Sequence, residues 1–476
     1  MKKQRNPRIH SDGATALAAL LALGLASCQG KPLTQADLPG LAGVWAGDLT
    51  VPGGASLPTI LRITTDSAGA YAADIESPTQ DQRRYPAASV RLTRGKLHLS
   101  IPVLNAEYLA SYEVSSDTIS GTWRQRGTSL PLSLSRRPAD YAFRRPQEPL
   151  PPYPYEVREL RFRNEAASID LAGSLSVPSG TPKGGLVLVS GSGAQDRDES
   201  IMGHKPFKLL ADWLARAGWA VLRYDDRGTG ASGGTFTGAR TADFAQDAGA
   251  ALAALRASGA AGQGPAGILG HSEGALIAAL LASGQAGAGP APDFCVLLGG
   301  PVMRGDQLLL LQSRAIMKAM GQPELAIEAA ARINARAYAL VMEKAGQPGL
   351  ERELKALLRK SGLSGKNLDA QAGSLLDPWF VSFLALDPAP LWRESSLPVL
   401  ALYGSLDTQV PVPENPEAMR ALLAQGGNPL SKVLVLEGLN HLFQKARSGA
   451  PAEYGSIDMT LDDSLKSALL DWLARL

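Results

Sequence analysis

Cysteine is nearly absent from this chain: residues 28 and 295 are the only two in 476. No disulfide framework holds the fold, and no cysteine cluster offers a zinc site. Histidine is almost as scarce, with five in all: His10, His98, His204, His271 and His441. A reaction that needs an imidazole has few places to find one. An excess of either charge is missing too. The formal net charge is +2, and residues 1–27 contribute +3 of it through Lys2, Lys3, Arg5 and Arg8 against Asp12, leaving −1 for the rest. That balance argues neither for nucleic acid as a partner nor for a strongly acidic substrate. No metal or organic cofactor is implied.

The basic N-terminal residues precede an apolar run, ATALAALLALGLA (14–26), which ends in LASC at Leu25–Cys28. The run is shorter than the roughly 20 residues that span a bilayer. A charged start, a short apolar stretch and small residues before a cut describe a secretory signal. LASC resembles the bacterial lipobox, and the resemblance implies cleavage before Cys28, lipidation of that cysteine and membrane attachment. With Gln29 next, it also implies outer-membrane sorting, facing the periplasm, in a diderm host. Cys295 lies in an apolar run, FCVLLGG, as expected of a buried thiol.

Beyond a tether at 28–40, the pattern to residue 137 is β. LPTILRIT, ASVRLT, KLHLSIPV and LPLSLSR alternate apolar and polar residues between Gly, Pro, Asp and Ser. This predicts a small antiparallel barrel or sandwich, with His98 as a strand residue. Six prolines between Pro138 and Pro154 predict a stiff, extended linker. From 155 onward, strands such as GGLVLV, WAVLRY and AGILG alternate with helical stretches such as PFKLLADWLARAG. The alternation predicts an α/β domain: a doubly wound, mostly parallel sheet covered on both faces. A helical stretch at 303–396 interrupts the rhythm as a cap insertion.

GHSEGA (270–275) stands where a strand turns into a helix. A sharp corner there needs small residues at 270 and 274 and lifts the Ser272 hydroxyl above the sheet edge. A serine is a weak nucleophile without a base. His441 is the only histidine that follows it with freedom to reach it; the His271 side chain is expected to point away from its neighbour. Asp407, at the end of ALYGSLD, is the expected acid, with Asp377 and Asp387 as alternatives within the insertion. The loop VSGSGAQDRDE (189–199) is glycine-rich, so its main chain can approach a ligand. The N–H groups of Ser192 and Glu273 are the expected oxyanion donors. Asp196, Arg197, Asp198, Asp225, Asp226 and Arg227 are expected to brace loops by ion pairing.

SGSGAQDRDE, LRYDDRGTGAS, GHSEGA, DPWFVSFLALDP, YGSLDTQVP and GLNHLF resemble, in order, the blocks of bacterial carboxylesterase-like α/β-hydrolases near the dienelactone-hydrolase relatives. Ala275 departs from the glycine expected there. The resemblance covers residues 155–476 and implies hydrolysis of a small-molecule carboxylic ester through an acyl-enzyme. A peptidase or acyltransferase on the same fold, or a non-catalytic binding lipoprotein, are the competing readings. DPWFVSFLALDP places Trp379, Phe380 and Phe383 near the return from the insertion, as candidate linings of an acyl pocket. Oligomeric state is not legible.

Overall fold

The apolar runs of the C-terminal two-thirds stand side by side in one eight-stranded sheet. In this computed structural model the described residues are 31–32, 40–51, 56–93, 96–285, 287 and 289–476. The expected signal segment and Cys28 lie outside them. The chain divides into two units, residues 1–143 and 144–476.

In the first unit, ten antiparallel strands form one continuous sheet. Ile75, Leu99, Tyr108, Ile119 and Leu134, from strands far apart in that sheet, meet in one core with Trp45 and Trp123, so the sheet wraps around it. Two buried polar groups are satisfied from within: the Trp45 indole N–H donates to Leu41 O at 3.0 Å, and the Tyr108 hydroxyl to Leu132 O at 2.8 Å. His98 is a strand residue whose Nε2 lies 2.9 Å from Glu107 Oε2.

In the second unit, the strands are numbered β1 (Glu156–Asn164), β2 (Ile169–Val177), β3 (Gly184–Val189), β4 (Trp219–Tyr224), β5 (Ala266–His271), β6 (Cys295–Leu298), β7 (Val399–Gly404) and β8 (Lys432–Leu436). Their order is β1-β2-β4-β3-β5-β6-β7-β8. β1 and β2 are antiparallel to each other, β2 is antiparallel to β4, and every later pairing is parallel. Strands β3 to β7 are buried along their whole length and show no polar alternation, because both faces are covered. Val187 and Val189 enter one core with Leu252, Ile277 and Trp392. Leu186 and Leu188 enter the other with Phe207, Leu214 and Trp472. Burial pushes the Cys295 thiol, on β6, up to about 12.

The covering helices are α1 (Pro206–Arg216), α2 (Thr241–Ala257) and α3 (Glu273–Ala282). Between β6 and β7 six more follow: α4 (Gly305–Ala319), α5 (Glu324–Lys344), α6 (Leu350–Arg359), α7 (Gly365–Leu375), α8 (Pro378–Ala385) and α9 (Ala389–Arg393). They have a core of their own, built on Val341, Leu354, Leu368, Ala372 and Leu384. α10 (Glu414–Gly426) and α11 (Asp463–Leu473) complete the unit.

The proline-rich stretch is not a free spacer throughout. From Arg144 onward it belongs to the second unit. Arg145 donates to Gly455 O at 2.7 Å, Gln147 Oε1 accepts from Thr460 N at 2.6 Å, and Glu148 accepts from Lys208 Nζ at 2.7 Å. Extended, proline-fixed backbone leaves polar side chains free to dock, and composition alone does not reveal the surface that receives them.

Candidate active site

Ser272 sits at the corner between β5 and α3 with φ +52° and ψ −115°. A non-glycine residue held there stores about 1–3 kcal/mol of backbone strain, and such strain is found where a side chain must be aimed. The corner is tight for a visible reason. A Cβ on Gly270 would overlap the Gly274 carbonyl, and one on Gly274 would overlap Val189 O. The Ser272 N–H donates to Leu298 O at 2.8 Å, which ties the corner to the end of β6.

Asp407 and His441 arrive on the loops after β7 and β8. His441 Nδ1 lies 2.8 Å from Asp407 Oδ2. The other carboxylate oxygen, Oδ1, accepts from Gln409 N and Val410 N, each at 2.8 Å. The carboxylate is thereby fixed, Nδ1 carries the proton that faces it, and Nε2 is left for the cavity. Both residues are buried. Gly299, with φ +58°, backs the pair: a Cβ there would lie 3.1 Å from the His441 ring and 3.2 Å from Asp407 Oδ2. The alternative acids are occupied elsewhere. Asp377 caps α8 by accepting from Trp379 N at 2.9 Å, and Asp387 accepts from Ala389 N at 3.0 Å.

Strand order and corner together decide the architecture. Residues 144–476 have the α/β-hydrolase fold. Its serine corner, acid loop and histidine loop all lie at the C-terminal edge of the parallel strands, where this fold gathers reacting groups. Residues 204–338 match the family described as Serine aminopeptidase, S33. Among solved structures, the chain is similar to an esterase of Pyrococcus furiosus at 17% identity, covering 67% of this chain and 91% of that one, with TM-score 0.42. It is similar to a proline iminopeptidase of Mycobacterium smegmatis at 14% identity, covering 67% and 98%, with TM-score 0.40. It is also similar to Est1E of Butyrivibrio proteoclasticus, solved with ferulic acid, at 16% identity, covering 66% and 99%, with TM-score 0.39. A comparison with curated proteins found no match. The family match and the α/β-hydrolase fold support a hydrolase.

Ser272 and His441 line one cavity of about 240 Å³, with Ser192 and Glu273 on its wall. The backbone N–H groups of Ser192 and Glu273 make no hydrogen bond among the described residues. Glu273 opens α3, so its N–H is among those that a helix leaves unpaired at its start. The loop that carries Ser192 is braced by ions. Arg197 forms a two-pronged pair with Asp225 at 2.8 and 3.1 Å, and Arg223 pairs with Asp198. Arg227 pairs with Asp247 at 2.6 Å. Two expected braces work differently. Asp196 accepts Asp198 N and Ser200 N, each at 3.0 Å, and Asp226 accepts Gln195 N at 2.9 Å and the Ser190 hydroxyl at 3.1 Å. Burial raises Asp226 to about 7, with Glu199 and Asp247 adding to the shift and the two hydrogen bonds opposing it.

The insertion supplies the other side of the cavity through Leu308 and Leu309 of α4 and Trp379 and Phe383 of α8. Phe380 is not on that wall. It packs in the cap's own core, its ring 5.8 Å from that of Tyr338. One residue of helix turns a side chain by about 100°, so 379 and 383 share a face that 380 does not. Apolar aromatics adjacent in sequence gave no signal of that division.

Two side chains with no role expected from the sequence also stand at the site. The His271 ring lies beside the base, its centroid 4.8 Å from that of His441. Its Nδ1 lies 2.8 Å from Glu199 Oε1. The Glu273 side chain, too, is engaged. Its Oε1 accepts from Thr241 Oγ1 and from the Trp379 indole N–H, each at 2.7 Å. Burial pushes this carboxyl above its ordinary range, while donors on Trp379, Thr241 and Ser192 pull the other way.

Proposed function

We propose that this protein is a serine hydrolase that cleaves carboxylic esters of short to medium acyl chains. Ser272 attacks the ester carbonyl as His441 Nε2 takes its proton. Asp407 holds the ring in the correct tautomer and stabilises the imidazolium. The oxyanion is met by the N–H groups of Ser192 and Glu273, a type of contact worth roughly 10²–10³ in rate per donor. His441 then protonates the leaving alcohol, and water releases the acyl group by the same route in reverse. The observation that carries this reading is the 2.8 Å Asp407–His441 pair beside a serine at positive φ on a shared cavity.

An aminopeptidase is the second reading, suggested by the family match. It needs an anion facing the substrate's free amine. The acidic residues on the cavity wall are Glu199 and Glu273. Glu273 Oε1 is engaged by Thr241 and Trp379, and Glu199 Oε1 by Gly191 and His271. With one oxygen of each committed to neighbours, the wall favours an uncharged ester over an ammonium group. A panel of p-nitrophenyl esters and aminoacyl anilides separates the two: the ester reading expects kcat/KM on acetate or butyrate to exceed that on every anilide. A preference for anilides would replace it. Attachment to the membrane through a lipidated Cys28 belongs to the same proposal.

A further inference from the structure

The chemistry above gives Glu199 and His271 no task, yet both are buried and both line the cavity. Glu199 Oε1 accepts from Gly191 N at 2.8 Å and faces His271 Nδ1 at 2.8 Å. On the far side of the ring, His271 Nε2 faces the backbone carbonyl oxygen of His441 at 3.2 Å. A carbonyl has no proton to give. The carboxylate oxygen is already an acceptor, because the Gly191 N–H points at it. With Glu199 ionised, both ring nitrogens have to donate, which a neutral imidazole cannot do. The geometry describes an imidazolium bridging a carboxylate and a main-chain carbonyl.

The two ends of this bridge are the two loops that the reaction depends on. One end is the backbone of His441. The other is the N–H of Gly191, next to the proposed oxyanion donor Ser192. Gly191 leaves little slack: a Cβ there would be 3.3 Å from Ser272 Cβ and 3.4 Å from His271 Nδ1. Glu199 itself is held at φ +50°, a conformation that costs energy for a side-chain-bearing residue.

We propose that Glu199 and His271 are a positioning pair: an ion-paired strut that fixes the base loop and the oxyanion loop relative to Ser272. This inference rests on the reading of Ser272 and His441 as catalytic. The charged state has a physical basis. Burial alone would lower the His271 ring, but the Glu199 carboxylate against Nδ1, the His441 carbonyl and Asp407 together outweigh it, and the net direction is upward. Other charged or titratable groups near the pair are Asp407, on the loop after β7, and His441, on the loop after β8. Asp226, after β4, interacts with Glu199.

The test uses the full chain, with active sites counted by fluorophosphonate, in the wild type, Glu199→Gln and His271→Gln. In Glu199→Gln the amide oxygen still accepts from Gly191, but the ring loses the charge that keeps it doubly protonated. Near neutral pH kcat per counted site should fall roughly ten- to hundredfold with KM little changed, the scale of a small misplacement of reacting groups. The deficit should shrink as pH is lowered and the ring regains its proton. Variants that lose thermal stability but keep kcat and the pH profile would reduce the pair to a structural contact and overturn the proposal. An independent arm needs no folded variant. Nitrogen NMR of the ¹⁵N-histidine-labelled wild type at neutral pH should show both His271 ring nitrogens protonated, with the ring assigned through its contact to His441. A neutral ring would overturn the proposal. Absence of fluorophosphonate labelling at Ser272 in the wild type would instead remove the catalytic reading beneath it.

Discussion

The indole N–H of Trp379, on a cap helix, donates a 2.7 Å hydrogen bond to the carboxyl of Glu273, the residue after Ser272. One side chain thus joins the cap to the turn that carries the proposed oxyanion donor. The ring of Trp379 also lines the cavity, 5.2 Å from that of Phe383. Wall and oxyanion turn are therefore coupled, and substitutions at this position should separate the two contributions.

Trp379→Ala should move the preferred acyl chain to greater length, because it opens the wall. Each added methylene that the wild-type cavity buries is worth about 0.8 kcal/mol, or roughly fourfold in kcat/KM, until the space is full. Trp379→Phe keeps a ring but removes the N–H. It should leave the chain-length optimum in place and lower kcat across the series. Profiles of kcat/KM and kcat from acetate to palmitate check both. An optimum unmoved in the alanine variant would take the wall away from Trp379.

Asp226 predicts a pH signature in stability. Its folded value is raised to about 7, whereas an unfolded aspartate titrates near 3.9. Between those values the folded state binds more protons than the unfolded state, so stability falls as pH rises through that window and levels off above it. Asp226→Asn can still accept from Gln195 N and can donate to the Ser190 hydroxyl. The variant should gain Tm relative to wild type near pH 8 and show little gain near pH 4. Thermal melts across that range decide it, and an equal effect at both ends would contradict the buried-carboxyl account.

Much of this was legible in the sequence, and the parts that were not share a cause. Ser272 stands out because a corner between strand and helix demands Gly270 and Gly274. His441 stands out because histidine is scarce, and Asp407 because it ends a strand between Ser272 and His441. The fold follows from uninterrupted apolar strands alternating with helices. What stayed hidden depends on direction rather than identity. His271 and Glu199 are 72 residues apart and meet only when the sheet brings β5 beside the loop after β3. Phe380 is as apolar as Trp379 but faces the other way around its helix. The docking of residues 145–148 rests on hydrogen bonds to partners as far as 314 residues along the chain.

The anchor proposal concerns Cys28, outside the described residues. Cys28→Ser should abolish incorporation of labelled fatty acid and release the protein from the membrane fraction. A single acyl chain holds only weakly, so retention in the wild type requires more than one. Mass spectrometry of the mature N-terminus checks the site, and a terminus other than a modified Cys28 would refute it.

The central claim is that Ser272 is the nucleophile served by His441 and Asp407. Ser272→Ala and His441→Ala should each lower ester hydrolysis by roughly four to six orders of magnitude, since members of such a set act as a unit. Asp407→Asn should cost about 10⁴ by favouring the wrong tautomer. The most direct measurement is the site of covalent labelling by a fluorophosphonate. The account predicts one adduct, on the peptide carrying Ser272, absent in Ser272→Ala and lost together with activity. An adduct on another residue, or wild-type hydrolysis by Ser272→Ala, would contradict it.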